Sequence, residues 1–262
     1  MSIVNRQFFT LYLVGCTTWV TSMGIVAPAY AYRLFFGEDL NNHPVLPLPA
    51  YPNASHAETS FLGELASYYT QDFEGIATGD IGPIIMDLGI FGTATVNRGT
   101  LQTVSPGMTD GAGRYPISGT NYWQGNATGD RLSISFSKSV ASLGFYGVDS
   151  GDLGGQLILN LMNGATRIVS VPHTSGIGGS TKGSVLYFGL IAESTDELFT
   201  SLSFNINSPA ADVFALDNLT IGNPKIAPTP SPTPPPMSVP EPTSVISFLG
   251  LGLIGLKKLK KR

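Results

Sequence analysis

The sequence predicts an all-β domain, an antiparallel sandwich of jelly-roll type led by one short helix. Three observations predict it. From Gln71 onward hydrophobicity repeats with a period of two: Leu132, Ile134 and Phe136 alternate with Ser133, Ser135 and Ser137. Leu157, Leu159 and Leu161 repeat the pattern, as do Leu202, Phe204 and Ile206. A period of two sends neighbouring side chains to opposite faces of a strand. Turn-forming clusters then separate the runs, at Gly151 to Gly155, Asn163-Gly164 and Gly176 to Gly179. Finally, no helical period follows residue 70, and Val185 to Ile191 is apolar on both faces apart from Gly189, as a doubly covered strand is. Nine to eleven short strands are expected between residues 71 and 222.

The elements before them read in chain order. Residues 32–54 hold Pro44, Pro47, Pro49 and Pro52 and read as an irregular arm. Ser55-His56-Ala57-Glu58 has the form of a capping box. After it Phe61, Leu62, Leu65, Tyr68 and Tyr69 fall on one face of a helix over 56–69. The ectodomain is therefore bounded at 55–223, helix included.

Composition narrows the function classes. Of 262 residues only 12% are charged, which excludes a coiled coil or an acidic disordered chain. Residues 32–223 carry 7 Lys/Arg against 17 Asp/Glu, a balance of 7 − 17 = −10. Phosphate would be repelled, so nucleic acid is no partner. Cys16 is the single cysteine. If it leaves with an N-terminal signal, the mature chain has no disulfide, thiolate nucleophile or Cys-bound zinc. No G-x-S-x-G, H-E-x-x-H or P-loop occurs. His43, His56 and His173 have no motif partner, and a non-enzymatic role is expected.

Both ends read as addresses. Arg6, the apolar run Phe8 to Val26, Pro28 and then Ala29-Tyr30-Ala31 make an export signal over 1–31, cleaved after Ala31. Its partners would be the Sec translocon and signal peptidase. An uncleaved anchor is the alternative, and Leu13-Val14-Gly15-Cys16 resembles a lipobox that would acylate Cys16. At the other end, nine of the 19 residues from Pro224 to Pro242 are Pro, so 224–239 is an extended spacer. Pro240-Glu241-Pro242 follows, then the apolar stretch Val245 to Leu256 and the basic finish Lys257 to Arg262. That stretch is short for a span unless snorkelling lysines extend it, and the positive-inside rule keeps its end cytoplasmic.

The C-terminal 23 residues, 240–262, resemble the PEP-CTERM sorting signal of exopolysaccharide-producing Gram-negative bacteria. The resemblance implies processing near Pro240, Glu241 and Pro242 by an exosortase, after transient anchoring by a transmembrane helix. A plain tail anchor is the alternative. The domain also resembles a recurrent group of PEP-CTERM ectodomains, through Asp72-Phe73-Glu74-Gly75, the stretch Ser118 to Trp123 and the stretch Gly144 to Gly155. Those domains mostly have no assigned activity. Their look is similar to jelly-roll carbohydrate-binding modules, a likeness of fold alone. The implied setting is the envelope, outer surface or extracellular matrix, in a structural or adhesive role. A glycan-binding module, or a hydrolase or lyase using carboxylates, is the alternative.

Four acids and one aromatic are candidate site residues. Asp217 lies in a strand-like run between apolar same-face neighbours, and Glu74 lies between Phe73 and Ile76. A buried carboxylate needs partners. The likeness to carbohydrate-binding jelly rolls, where an early-strand Glu and a last-strand Asp often hold a structural calcium, implies that they bind Ca2+ through oxygen ligands; the alternative is that they accept hydrogen bonds from backbone amides or Arg. Asp149 and Asp152 in a Gly-rich turn either hold a cation too or form an Asx-type turn. Trp123 either stacks on a sugar ring or belongs to the core.

Overall fold

Alternating strands with one apolar face must bury that face against a second sheet. A computed structural model describes residues 32–231, apart from Asp130, Ile177 and Pro209, and contains two such sheets. The first runs β1(Arg33–Asp39), β11(Val185–Ile191), β8(Ser142–Val148), β13(Val213–Pro224), β6(Asn121–Asn126), β5(Thr100–Thr103), with β2(Leu65–Gln71) also on β13. The second runs β10(Ala165–Ser170), β9(Leu157–Asn163), β12(Phe199–Ile206), β7(Leu132–Val140), β4(Thr93–Asn97), β3(Ile84–Asp87). Every pairing between strands is antiparallel. Pairs β9·β10, β8·β11, β7·β12 and β6·β13 nest inside one another. They form one long hairpin wound across both sheets, the jelly-roll winding. Eleven strands, β3 to β13, follow residue 71.

The main core lies between the sheets, with Phe145, Phe188, Phe204, Phe214 and Trp123 inside it. A second core lies on the far side of the first sheet. There Ala54, Ala57 and Phe61 of α1(Pro52–Gly63) pack on Tyr146, Val148, Val185 and Tyr187. This double cover explains why β8 and β11 are buried at every position.

The N-terminal elements differ from the sequence reading. The arm is not wholly irregular: its first part is β1, which adds an edge to β11. The helix begins at Pro52, whose ring fixes φ in the helical range, and ends at Gly63. Ser55-His56-Ala57-Glu58 is therefore no capping box. The N-cap is Tyr51, without a side-chain cap. Asp39 at the end of β1 supplies the missing acceptors, taking the amides of Asn53 and Ala54 at 3.3 and 2.9 Å. Tyr68 and Tyr69 lie in β2, where pairing with β13 overrides the helical spacing. The sandwich thus spans 33–224 rather than 55–223.

Ala29, Ala31, Cys16, Pro240, Glu241, Pro242 and the apolar C-terminal stretch lie outside the described residues. Among the described residues no helix is long and apolar enough to cross a membrane.

Candidate functional site: the open sheet face

A sandwich has two outer faces. One is sealed here by α1 and the second core. The other, the outer face of the β10-β9-β12-β7-β4-β3 sheet, has no layer over it among the described residues. The register brings its side chains into rows. Ile85, Thr95, Ser135, Ser201, Met162 and Thr166 line up across all six strands. Asn97, Ser133, Ser203, Asn160 and Ile168 form the next row. Neighbours stand ~4.8 Å apart across strands and ~7 Å apart along them. Asn97 Nδ2 donates to Ser133 Oγ at 3.3 Å, and Asn160 Nδ2 to Ser203 Oγ at 3.5 Å, so cross-strand contacts orient these groups. The two rows carry no ionisable side chain; Asp87, at the end of edge strand β3, and Lys138, exposed near the irregular end of β7, are the charged groups beside them. The rest are hydroxyls, amides and a few aliphatic groups. In a domain this acidic, a face this free of charge is a distinct chemical surface.

The predicted acids lie elsewhere. Asp217 is fully buried where β13 changes partners from β6 to β2, and a bulge falls there, with Asn218 at φ 48°. Its Oδ2 accepts the amides of Ile117 and Ser118 at 2.8 and 3.0 Å, and its Oδ1 accepts the Asn218 amide at 2.7 Å. Glu74 grips the other end of the same loop through the amides of Thr120 and Asn121, at 2.9 and 2.6 Å. The two carboxylates thus share a loop, each with its own amides. A ring of N–H donors does not fit Ca2+, which takes oxygen ligands.

Asp149 (φ 66°) ends β8 and is 2% exposed. Its Oδ1 accepts the Gly183 amide at 2.9 Å, and its Oδ2 lies 3.9 Å from Arg114 Nη1. Arg114 Nε in turn donates to Asp110 at 2.7 Å. Asp212, which sequence reasoning passed over, holds the Gly151 amide at 2.8 Å, and its Oδ1 has no partner. Burial pushes Asp149 up to about 8, with Asp152 adding to the rise while the Gly183 amide and Arg114 oppose it. Burial also raises Asp212 to about 6 and Asp217 to about 7, against their amide bonds. Asp152 shifts upward as well, by burial, against Lys182 and Arg114. Among the described residues no three acid, His or Cys side chains are grouped to hold a metal. Asp149, Asp212 and Asp217 hold backbone amides of neighbouring loops.

Trp123 is also internal. It is fully buried, stacks on Phe73 and donates its Nε1–H to the Arg98 carbonyl at 3.1 Å. It has no face to offer a sugar, which corrects the glycan-contact expectation. His173 is buried, with Nε2 accepting the Leu157 amide at 2.8 Å and Nδ1 facing the Thr174 carbonyl. His43 Nδ1 accepts turn amides of Val45 and Leu46.

No family model and no curated protein matches the chain. Solved structures do. The K2 cleaved adhesin domain of Lys-gingipain superposes with a TM-score of 0.33 at 12% identity, over 60% of this chain and 98% of that one. The CBM22-1 xylan-binding domain of Paenibacillus barcinonensis Xyn10C gives a TM-score of 0.30 at 18% identity, over 58% of this chain and 100% of that one. Likenesses at this level carry no argument about a shared site.

Proposed function

We propose that the chain is an exported, non-catalytic surface protein whose sandwich contacts neutral polysaccharide through its open sheet face, in a structural or adhesive role. The uncharged rows of hydroxyl and amide groups carry this reading. A neutral glycan offers the same groups, each able to donate and accept, so an array of them matches without charge pairing. Among the described residues no aromatic ring stands on the face, so each contact is weak and affinity grows with polymer length through repeated engagement. The acids with raised pKa support a non-catalytic role, because they are buried rather than presented to solvent.

The test is affinity electrophoresis in gels cast with a panel of neutral polysaccharides. The full-length protein should be retarded by at least one of them. Ser135→Glu with Thr166→Glu, both exposed in the six-strand row, should abolish retardation at an unchanged melting temperature. Absence of retardation by every polymer, or retention of it by the variant, would remove the reading.

Export and sorting belong to the same proposal, supported by the signal over 1–31 and the PEP-CTERM resemblance of 240–262. Intact-mass measurement on envelope and secreted material should find a chain that begins after Ala31 and lacks Lys257 to Arg262. A lipidated Cys16 would show as added acyl mass. An intact 27.6 kDa chain in both fractions would contradict processing.

A further inference from the structure

The domain has few cations, and most are engaged. Arg33 pairs with Glu64, Arg114 with Asp110 and Asp149, and Lys138 donates to the Ile90 carbonyl. Lys182 lies in the field of Asp152. The guanidinium groups of Arg98 and Arg131 have no hydrogen-bond or ion-pair partner among the described residues, and both line one pocket of about 220 Å³. Thr100, Gln124 and Asn126 add hydroxyl and amide groups to its wall.

The pocket is built on a fixed corner. At Arg98-Gly99 the chain leaves β4 in one sheet and enters β5 in the other. Both residues have positive φ, 59° and 110°. A Cβ on Gly99 would meet Trp123 Nε1 at 2.2 Å, and one on Gly82 would meet the Arg98 amide nitrogen at 2.4 Å. With Trp123 Nε1–H also bound to the Arg98 carbonyl, the backbone under this arginine cannot drift. A left-handed non-glycine residue costs conformational energy and persists where its surroundings enforce it.

We infer that this pocket takes one carboxylated sugar unit, a uronate, of a polysaccharide. A guanidinium presents paired N–H donors that match a carboxylate bidentately. The amides and hydroxyl match ring hydroxyls. The volume sits below the ~300–1,000 Å³ of pockets for larger ligands, so it suits a single ring. The domain's net negative charge does not forbid this, because screening over ~8 Å leaves the local arginines in control. Asn97 and Ser133 of the open face adjoin Arg98 and Leu132 in sequence. The inference rests on the domain's being a glycan binder and adds a charge preference to it.

The test titrates full-length protein in mild detergent with oligogalacturonate, with the matching neutral galactose oligomer, and with sodium sulfate. Uronate should bind more tightly than the neutral oligomer and weaken with salt. Arg98→Gly suits the backbone's φ and so removes the guanidinium without strain. Together with Arg131→Gln it should lower uronate affinity about tenfold or more per arginine while leaving neutral binding and melting temperature unchanged. Ser135→Glu with Thr166→Glu should do the reverse, losing neutral polymer and keeping uronate, which separates failure of the pocket from failure of the face. Equal affinity for uronate and neutral oligomers, displacement by sulfate at equal concentration, or retained uronate affinity in the arginine double variant would each overturn the inference.

Discussion

The folded domain should lose stability as pH rises, by ~10 °C in melting temperature between about pH 5 and about pH 9. The sign follows from its buried acids. Burial raises Asp149 to about 8, Asp217 to about 7 and Asp212 to about 6. An unfolded Asp titrates near ~3.9. Between those limits the native state binds more protons than the unfolded chain, so the slope of stability against pH is negative. The contribution is fully present below about pH 4 and is lost as pH passes through the folded values. At ~1.36 kcal/mol per pKa unit, Asp149 alone contributes on the order of 5 kcal/mol, and its coupling to Asp152 and Asp212 makes the sum less than additive. Asp149→Asn keeps an acceptor for the Gly183 amide and removes the ionisation, so thermal scans of this variant should show a flatter profile. A wild-type melting temperature that climbs across the range, or an equal slope in the variant, would refute the assignment.

The same acids show what a sequence can and cannot reveal. Asp217 was visible as an anomaly, a carboxylate inside an apolar strand. Its partners were not visible, because the amides of Ile117 and Ser118 belong to a loop about a hundred residues away in the chain. The strands themselves were legible, since Leu132, Ile134 and Phe136 need only a local period of two. The Ser133, Ser135 and Ser137 half of that alternation was equally plain. That it continues into Ser201, Asn160 and Thr95 depends on register, which no single strand encodes. The helix was misplaced because Tyr68 and Tyr69 extend its spacing by chance, while β13 offers them a better partner. Arg98 and Arg131 gave no pattern at all. Each is a lone cation in a loop, and only the corner turn and the jelly-roll winding bring both to one pocket.

Removing the ring of Phe61 should unseal the covered face. The side chain is fully buried, with its ring centroid 5.6 Å from Phe35 and 6.0 Å from Tyr187. It descends from α1 onto Gly144 and Gly189, which face each other across β8 and β11. A Cβ on Gly189 would sit 2.7 Å from Phe61 Cδ2, so the glycine is the floor of the slot the ring occupies. Phe61→Ala should cost ~3–5 kcal/mol, the usual range for emptying an aromatic site. For a domain of this size that is a fall of roughly 10 °C or more. Gly189→Ala alone should cost ~1–3 kcal/mol by overpacking. The double variant decides the mechanism: with the ring gone, only the residue-61 Cβ, 3.3 Å away, still faces the added methyl, so most of the second cost should vanish and the two effects should be strongly non-additive. Additive losses in thermal or urea unfolding would mean that the slot is not what holds α1. Neutral-polysaccharide retardation should persist in Phe61→Ala below its melting temperature, because the open face lies on the other sheet and shares no side chain with this lock.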